Sequence, residues 1–147
     1  MKEKQSRRLK IIYLIGSLRN TQVPVIANIL REHGHEVFDQ WYGAGPNADD
    51  CWQEYCKQKG MNYKQALADH GAQHVFNFDK RFLDLADTAV LVLPAGKSGH
   101  LELGYALGKG KRGFILLDGE PDRYDCMYNF ATGICLNVGE LLDVLVL

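Results

Sequence analysis

Thr88-Ala89-Val90-Leu91-Val92-Leu93-Pro94 is the stretch on which the fold turns. Its residues are apolar without alternation, so a strand here must be buried on both faces, as in a parallel sheet covered by helices on either side. Ser98–Gly110 follows at helical spacing, with Leu101, Tyr105 and Leu107 expected inward. Upstream, Lys10–Gly16 (KIIYLIG) reads as a second doubly buried strand ending in glycine. Val23–His33 then reads as a helix that tolerates Pro24 in its first turn and stops at Gly34. His35–Asp39, Gly113–Asp118 and Ile134–Asn137 supply three more strands, and Gly139–Val146 a closing helix. Asn62–Ala86 carries helical spacing interrupted at Gly71, as one kinked helix or two. Trp41–Gly60 is glycine-rich and aromatic, with a helix from Asp49 or Asp50 to Lys59.

Strands alternating with helices predict an α/β fold: one doubly wound, five-stranded parallel sheet, flavodoxin- or Rossmann-like, of order 2-1-3-4-5, with residues 1–147 as a single domain. The chain's 147 residues, 46% of them hydrophobic, suffice for one core and not for two. Seventeen basic against eighteen acidic side chains leave a net charge of −1, with no basic excess for a polymeric nucleic-acid face. No apolar run approaches the roughly 20 residues that cross a bilayer. The charged start MKEKQSRRLK and the short Ile11–Ile15 run do not make a signal peptide. Cys51, Cys56, Cys126 and Cys135 have neither zinc nor redox spacing. The expectation is a cytoplasmic protein with reduced thiols and no membrane partner.

In such a sheet the ligand crevice lies beyond the carboxyl ends of the strands, which singles out the loops Gly16–Asn20 and Ala95–Gly99. Gly16-Ser17-Leu18-Arg19-Asn20 brings backbone N–H groups, a hydroxyl and a guanidinium together and could hold an anion; a plain strand-to-helix turn with a solvated arginine reads as well. Gly96-Lys97-Ser98 is not a P-loop, because Leu91 stands where that motif needs glycine, yet Ser98 and Gly99 could present donors at a helix start. Glu102 falls near that same helix start, among Leu101, Leu103 and Gly104. The helix N-terminus would favour its ionised form and keep it available as a nucleophile; the competing reading is a surface carboxylate that only complements the helix dipole, against which stands the apolar setting. Asp79, Asp84 and Asp87 are further carboxylates at the end of the preceding helix, where most such residues are solvated or capping and Asp87 could cap the entry to the strand. Tyr13 on the first strand is core unless its hydroxyl reaches the crevice. His70 and His74, at i and i+4, read as a surface pair rather than metal ligands, as do His33 and His35; no metal site is expected.

Tyr13-Leu14-Ile15-Gly16-Ser17-Leu18-Arg19, then Asp79, then Ala86-Asp87 opening a strand, then Glu102-Leu103-Gly104-Tyr105-Ala106 together resemble the nucleoside 2-deoxyribosyltransferase superfamily, including its deoxynucleoside 5′-monophosphate N-glycosidase branch. Leu93–Glu102 and the Gly34–Asp39 strand before an aromatic insert look most like small bacterial and phage members. The resemblance runs in order from Ile12 to Leu145. It implies that Glu102 is the nucleophile forming a covalent glycosyl-enzyme, which water or a second base resolves. It implies that Tyr13 orients Glu102 and that Asp79 assists at the base or sugar.

The same resemblance implies that Gly16, Ser17, Leu18 and Arg19 meet a 5′-phosphate, and that Ser98 and Gly99 lie in a second phosphate loop of altered spacing. Met127 matches a methionine of the family, and Asp125 stands where a small polar residue reaches a neighbouring subunit's substrate. A carboxylate there repels a phosphate unless Arg19 or Lys97 pairs with it. The expected activity is hydrolysis or base transfer at the N-glycosidic bond of a small (deoxy)nucleoside or its 5′-monophosphate, the latter slightly favoured by Arg19. No metal or organic cofactor is implied. A homodimer or higher homo-oligomer with shared sites is expected, Asp125–Asn129 of one chain closing the neighbour's crevice. The alternatives are a TIR-like hydrolase of an NAD-derived nucleotide and a non-catalytic nucleotide-binding or sensing module.

Overall fold

A computed structural model describes residues 10–146. The charged stretch before Lys10, on which the signal-peptide reading rested, lies outside the described residues. Five strands, β1 (Ile11–Ile15), β2 (Glu36–Phe38), β3 (Thr88–Val92), β4 (Arg112–Leu116) and β5 (Gly133–Cys135), form one sheet of order β2-β1-β3-β4-β5. Every pairing is parallel. The expected order is the observed one.

Helices α1 (Gln22–Glu32) and α6 (Val138–Val144) cover one face, where Val23, Ile26, Leu30 and Leu141 pack on Ile12, Leu14, Val90 and Phe114. Helices α4 (His70–Leu85) and α5 (Lys97–Gly108) cover the other, where Leu83, Leu103 and Ala106 meet Tyr13, Ile15, Ala89 and Ile115. Alternate residues of β1 thus serve opposite cores, as the two-residue period of a strand requires. Among the described residues no helix is long and apolar enough to cross a membrane.

The insert after β2 holds a 3₁₀ turn (Gln40–Ala44), α2 (Ala48–Gln58) and α3 (Tyr63–Ala68). The sequence placed the next break at Gly71; it occurs at Asp69, whose extended backbone (φ −75°, ψ 158°) ends α3 and opens α4. Gly71 lies within the first turn of α4. At its other end α3 opens on a reciprocal capping box between Asn62 and Gln65.

The inward face of α5 is also corrected. Leu101 is 74% exposed, Tyr105 and Leu107 are only half-buried, and the buried seam is Gly99, Leu103 and Ala106. Two of those three residues contribute little hydrophobic surface, so a reading guided by large side chains finds the wrong stripe. Their smallness has a purpose. One row across the sheet runs Phe38, Tyr13, Ala89, Gly113, from large to small, and α5 lies over its small end. A Cβ at Gly113 would stand 2.8 Å from both Leu103 Cδ1 and Leu107 Cδ2, and one at Gly99 would stand 3.0 Å from Leu91 Cδ1 and 3.2 Å from Ile15 Cγ2. No atom larger than hydrogen fits at either place without movement.

Gly113→Val should therefore destabilise the fold by about 1–3 kcal/mol, the usual cost of overpacking, despite valine's preference for strands. Urea unfolding measures this, and an unchanged or raised midpoint would mean that α5 is not seated as described.

Candidate active site

Tyr13, Asp79 and Glu102 reach one place from three elements. Tyr13 projects from β1 to the α4/α5 face and is fully buried. Asp79 sits midway along α4, half-buried, one turn before the buried Leu83, so the helix turns a carboxylate toward the sheet. Glu102 lies in the second turn of α5, on the edge of the seam made by Gly99 and Ala106.

Their electrostatics are mutual. Burial pushes the Glu102 carboxyl up to about 7; the Tyr13 hydroxyl, donating to it, pulls the other way, and the charge of Asp79 adds to the rise. Burial also raises the Asp79 carboxyl. Tyr13 is driven upward by burial and by both neighbouring carboxylates, so it remains a protonated donor at any ordinary pH. The expectation that the helix N-terminus would favour an ionised Glu102 is thus overturned. The helix field fades beyond the first turn, whereas desolvation acts wherever water is excluded.

The β1–α1 loop is tied down from both sides. Gly16 has no room for a side chain: a Cβ would come 2.8 Å from Val23 Cγ2 and 3.6 Å from Trp41 Cη2. Ser17 Oγ accepts the Arg19 N–H at 3.1 Å, and Leu18 is half-buried. The Arg19 guanidinium is not free, because its Nη2 lies 2.9 Å from Asp50 Oδ2 at the start of α2. In the β3–α5 loop, Gly96 precedes α5, which leaves the N–H groups of Lys97, Ser98 and Gly99 as the open donors of the helix start. Ser98 is exposed, whereas Gly99 is buried in the close packing described above.

Asp125 and Met127 do not join this group within one chain. The Asp125 carboxylate accepts the Met127 N–H at 2.9 Å and caps the 3₁₀ turn Cys126–Phe130. That turn and the flank of α5 carrying Gly104, Leu107 and Gly108 border an open groove of about 780 Å³, on the side of α5 away from Glu102. His70 and His74 are both exposed on α4. Among the described residues no three potential metal ligands come together.

Three residues gain roles that sequence reasoning did not assign. Asn20 is only 7% exposed; its amide donates to the Val92 and Pro94 carbonyls at 3.5 and 3.4 Å while its Oδ1 accepts the Gln22 N–H at 3.0 Å. It fastens the β1 loop to the end of β3. The Trp41 indole donates to the Leu14 carbonyl at 2.8 Å and anchors the insert on β1. His100 bridges the Gly96 carbonyl and the Tyr128 hydroxyl, both at 2.8 Å. The position of Asp79 on the apolar side of an amphipathic helix was a signal available in the sequence. The Arg19–Asp50 pair, thirty-one positions apart, left none.

The fold and site together define a doubly wound α/β protein in which a tyrosine of β1 meets two partly desolvated carboxylates, one from α4 and one from α5. No family model matches the chain, and no curated protein sequence does. Solved structures do match. A 2-deoxyribosyltransferase from Bacillus psychrosaccharolyticus is similar over 89% of this chain and 89% of its own, with TM-score 0.60 and 16% identity. A CMP N-glycosidase of Clostridium botulinum is similar over 94% of this chain and all of its own, with TM-score 0.53 and 18% identity. This chain shares their fold, which agrees with the resemblance drawn from its motifs.

The site sets a pH signature. An unperturbed glutamate loses its proton near 4.5 and Glu102 near 7, so the folded chain holds a proton that the unfolded chain releases between these values. The resulting stabilisation is complete below 4.5 and is lost as pH rises through 7. Glu102→Gln, neutral throughout, should gain stability relative to wild type as pH rises from 5 to 8. Carboxyl-carbon NMR should place Glu102 near 7, moved up by Tyr13→Phe and down by Asp79→Asn. Shifts of the opposite sign would contradict the three-residue arrangement.

Proposed function

We propose that this chain is an enzyme of the nucleoside 2-deoxyribosyltransferase type, cleaving the N-glycosidic bond of a small nucleoside or nucleotide through Glu102. The observation that carries the reading is the meeting of the buried Tyr13 with the half-buried Glu102 and Asp79. Carboxyls raised by burial, one acting on the other through its charge and paired with a hydroxyl donor, are an arrangement suited to acid–base and nucleophilic chemistry. The shared fold supports it.

In the proposed reaction an ionised Glu102 oxygen attacks the anomeric carbon. The bond to the base nitrogen breaks with its electron pair on the base, which takes up a proton. Asp79, held above the usual aspartate range by burial, is suited to supply it. Tyr13 holds the Glu102 carboxylate in line through its hydrogen bond. Water, or a second base, then attacks the same carbon and releases Glu102, with water delivering a free sugar and a base delivering a new nucleoside. We further propose that the site is shared in a homodimer or higher homo-oligomer, with residues 125–129 of a second copy closing the crevice. Met127 and Phe130 are 60% and 77% exposed on this turn, apolar surface that a partner would cover.

Glu102→Gln should keep its fold and lose turnover, scored by chromatography as free base released from a panel of nucleosides, 5′-monophosphates and NAD. Retention of more than about a tenth of the wild-type rate, a barrier change of only ~1.4 kcal/mol, would remove Glu102 from the nucleophile's role. In wild type, kcat/KM should rise with pH through an apparent pKa near 7, because only the ionised carboxylate attacks.

Sedimentation velocity on the active protein tests the shared site. A dimer or larger assembly is expected, and a strictly monomeric, fully active enzyme would refute it.

A further inference from the structure

Helix α4 is longer than the sheet it covers. Its 16 residues span about 24 Å, whereas β1 and β3, at 5 residues each, span about 17 Å. Its carboxyl end is fixed at the start of the sheet: only Ala86 and Asp87 separate it from β3, and the Asp87 N–H donates to the Ile11 carbonyl at 3.0 Å. The excess therefore stands at the amino end of α4, beyond the carboxyl edge of the strands. The apolar stripe of the helix does not stop where the sheet does. Ala72, Val75, Phe76, Asp79 and Leu83 recur at helical spacing. Leu83 is buried in the core, while Val75 and Phe76 are 60% and 59% exposed. Phe78 beside them is 47% exposed, its ring centroid 6.1 Å from that of Phe38 and 5.1 Å from that of Phe82.

The projecting half is held in place by α3, which packs alongside it. The Gln73 amide donates to the Leu67 carbonyl near the end of α3 at 2.9 Å, and Lys59 pairs with Asp69 at the α3–α4 junction at 3.6 Å. From His70 to Phe78 the helix carries no Asp, Glu, Lys or Arg, in a chain where 24% of residues are charged. Val75, Phe76 and Phe78, with Tyr63 and Leu67 exposed on α3, present roughly 500 Å² of side-chain surface, at about 150–250 Å² for a whole aromatic side chain. Exposed apolar patches of this size mark interaction sites.

We propose that the projecting half of α4 is an interface with a second copy of this chain, the two helices meeting face to face about a two-fold axis near Phe76. Two copies of the patch together bury about 1,000 Å², which is what a specific interface needs. In a two-fold contact each patch meets its own image. A charged face would repel itself there, and this uncharged one does not. That property selects a second copy over a partner of opposite charge, and a projecting helix offers a small molecule no concavity. The contact is separate from the Cys126–Phe130 turn, which borders the opposite flank of α5, so it goes beyond the shared site proposed above. It also bears on Asp79, which follows Phe78 and lies one turn from Val75 and Phe76. The partner's helix takes water from the open side of that half-buried carboxyl.

Sedimentation velocity on charge-swap variants tests the contact. Phe76→Lys and Phe76→Glu each set like charges against one another across the axis, so each alone should sediment at about half the wild-type mass at low ionic strength. Mixed in equal amounts the two should recover the wild-type species, because the charges that meet are then opposite. Far-UV circular dichroism and urea unfolding check that each variant is folded. Val75→Lys and Val75→Glu, at the adjacent exposed position, repeat the test if either is not. A wild type of single chains overturns the proposal, as does a lone variant that sediments as wild type or a mixture that stays small. Base release by the wild type is read separately. Its absence removes the N-glycosidic reading and leaves this interface standing; its presence, with sedimentation unmoved in the variants, removes the interface alone.

Discussion

The close seating of α5 on the sheet is the constraint on which the site depends. Glycine at 99 and 113 and alanine at 89 and 106 let the helix sink toward β3 and β4. Glu102 sits on the edge of that seam, beside the row of the sheet that holds Tyr13. A bulkier floor would lift the helix and carry the carboxylate toward water. Its proton affinity would then return toward that of an ordinary glutamate, since desolvation is the largest cause of its rise. Packing and chemistry are therefore one problem in this chain.

Burying two carboxylates near one another is costly, and the structure limits that cost in several ways. Both remain half-buried rather than fully enclosed, Tyr13 donates to one of them, and each can hold a proton where a solvated carboxylate would not. Nearby, Tyr105 donates to Asp84 at 2.6 Å and Lys80 pairs with Asp84 at 2.9 Å, joining α5 to α4 beyond Glu102 and Asp79. The Lys111 ammonium reaches the Asp84 carbonyl at 2.8 Å, so the end of α4 is also tied to the start of β4. These contacts are exposed and individually weak. Together they hold the helix that carries Asp79 against the helix that carries Glu102.

The insert between β2 and α4 gives the crevice its individuality. A doubly wound sheet needs only a crossover there, yet this chain spends two short helices and a 3₁₀ turn on it. Trp41 and Asp50 are the points at which the insert touches the β1 side of the site. Loops at the carboxyl ends of the strands are where such folds acquire their differences in ligand.

By itself the sequence determined the sheet and its order, and it singled out Glu102; Tyr13 and Asp79 joined it only through the resemblance. Uniformly apolar runs such as TAVLVLP can be satisfied only by burial on both faces, and alternation with helices leaves few topologies. It marked Glu102 by its place near a helix start in an apolar setting, whereas Tyr13, in the middle of β1, read as core. What only the tertiary structure decided follows from distance across the chain. The inward seam of α5 was hidden because glycine and alanine pack through the space they leave rather than the hydrophobicity they add. The proton affinity of Glu102 depended on burial by β1 and α4, which no local window contains. The pairing of Arg19 with Asp50 depended on where a separate insert comes to rest. A lone arginine in a glycine-led loop reads as an anion site, and its partner becomes visible only when folding brings the two charges together.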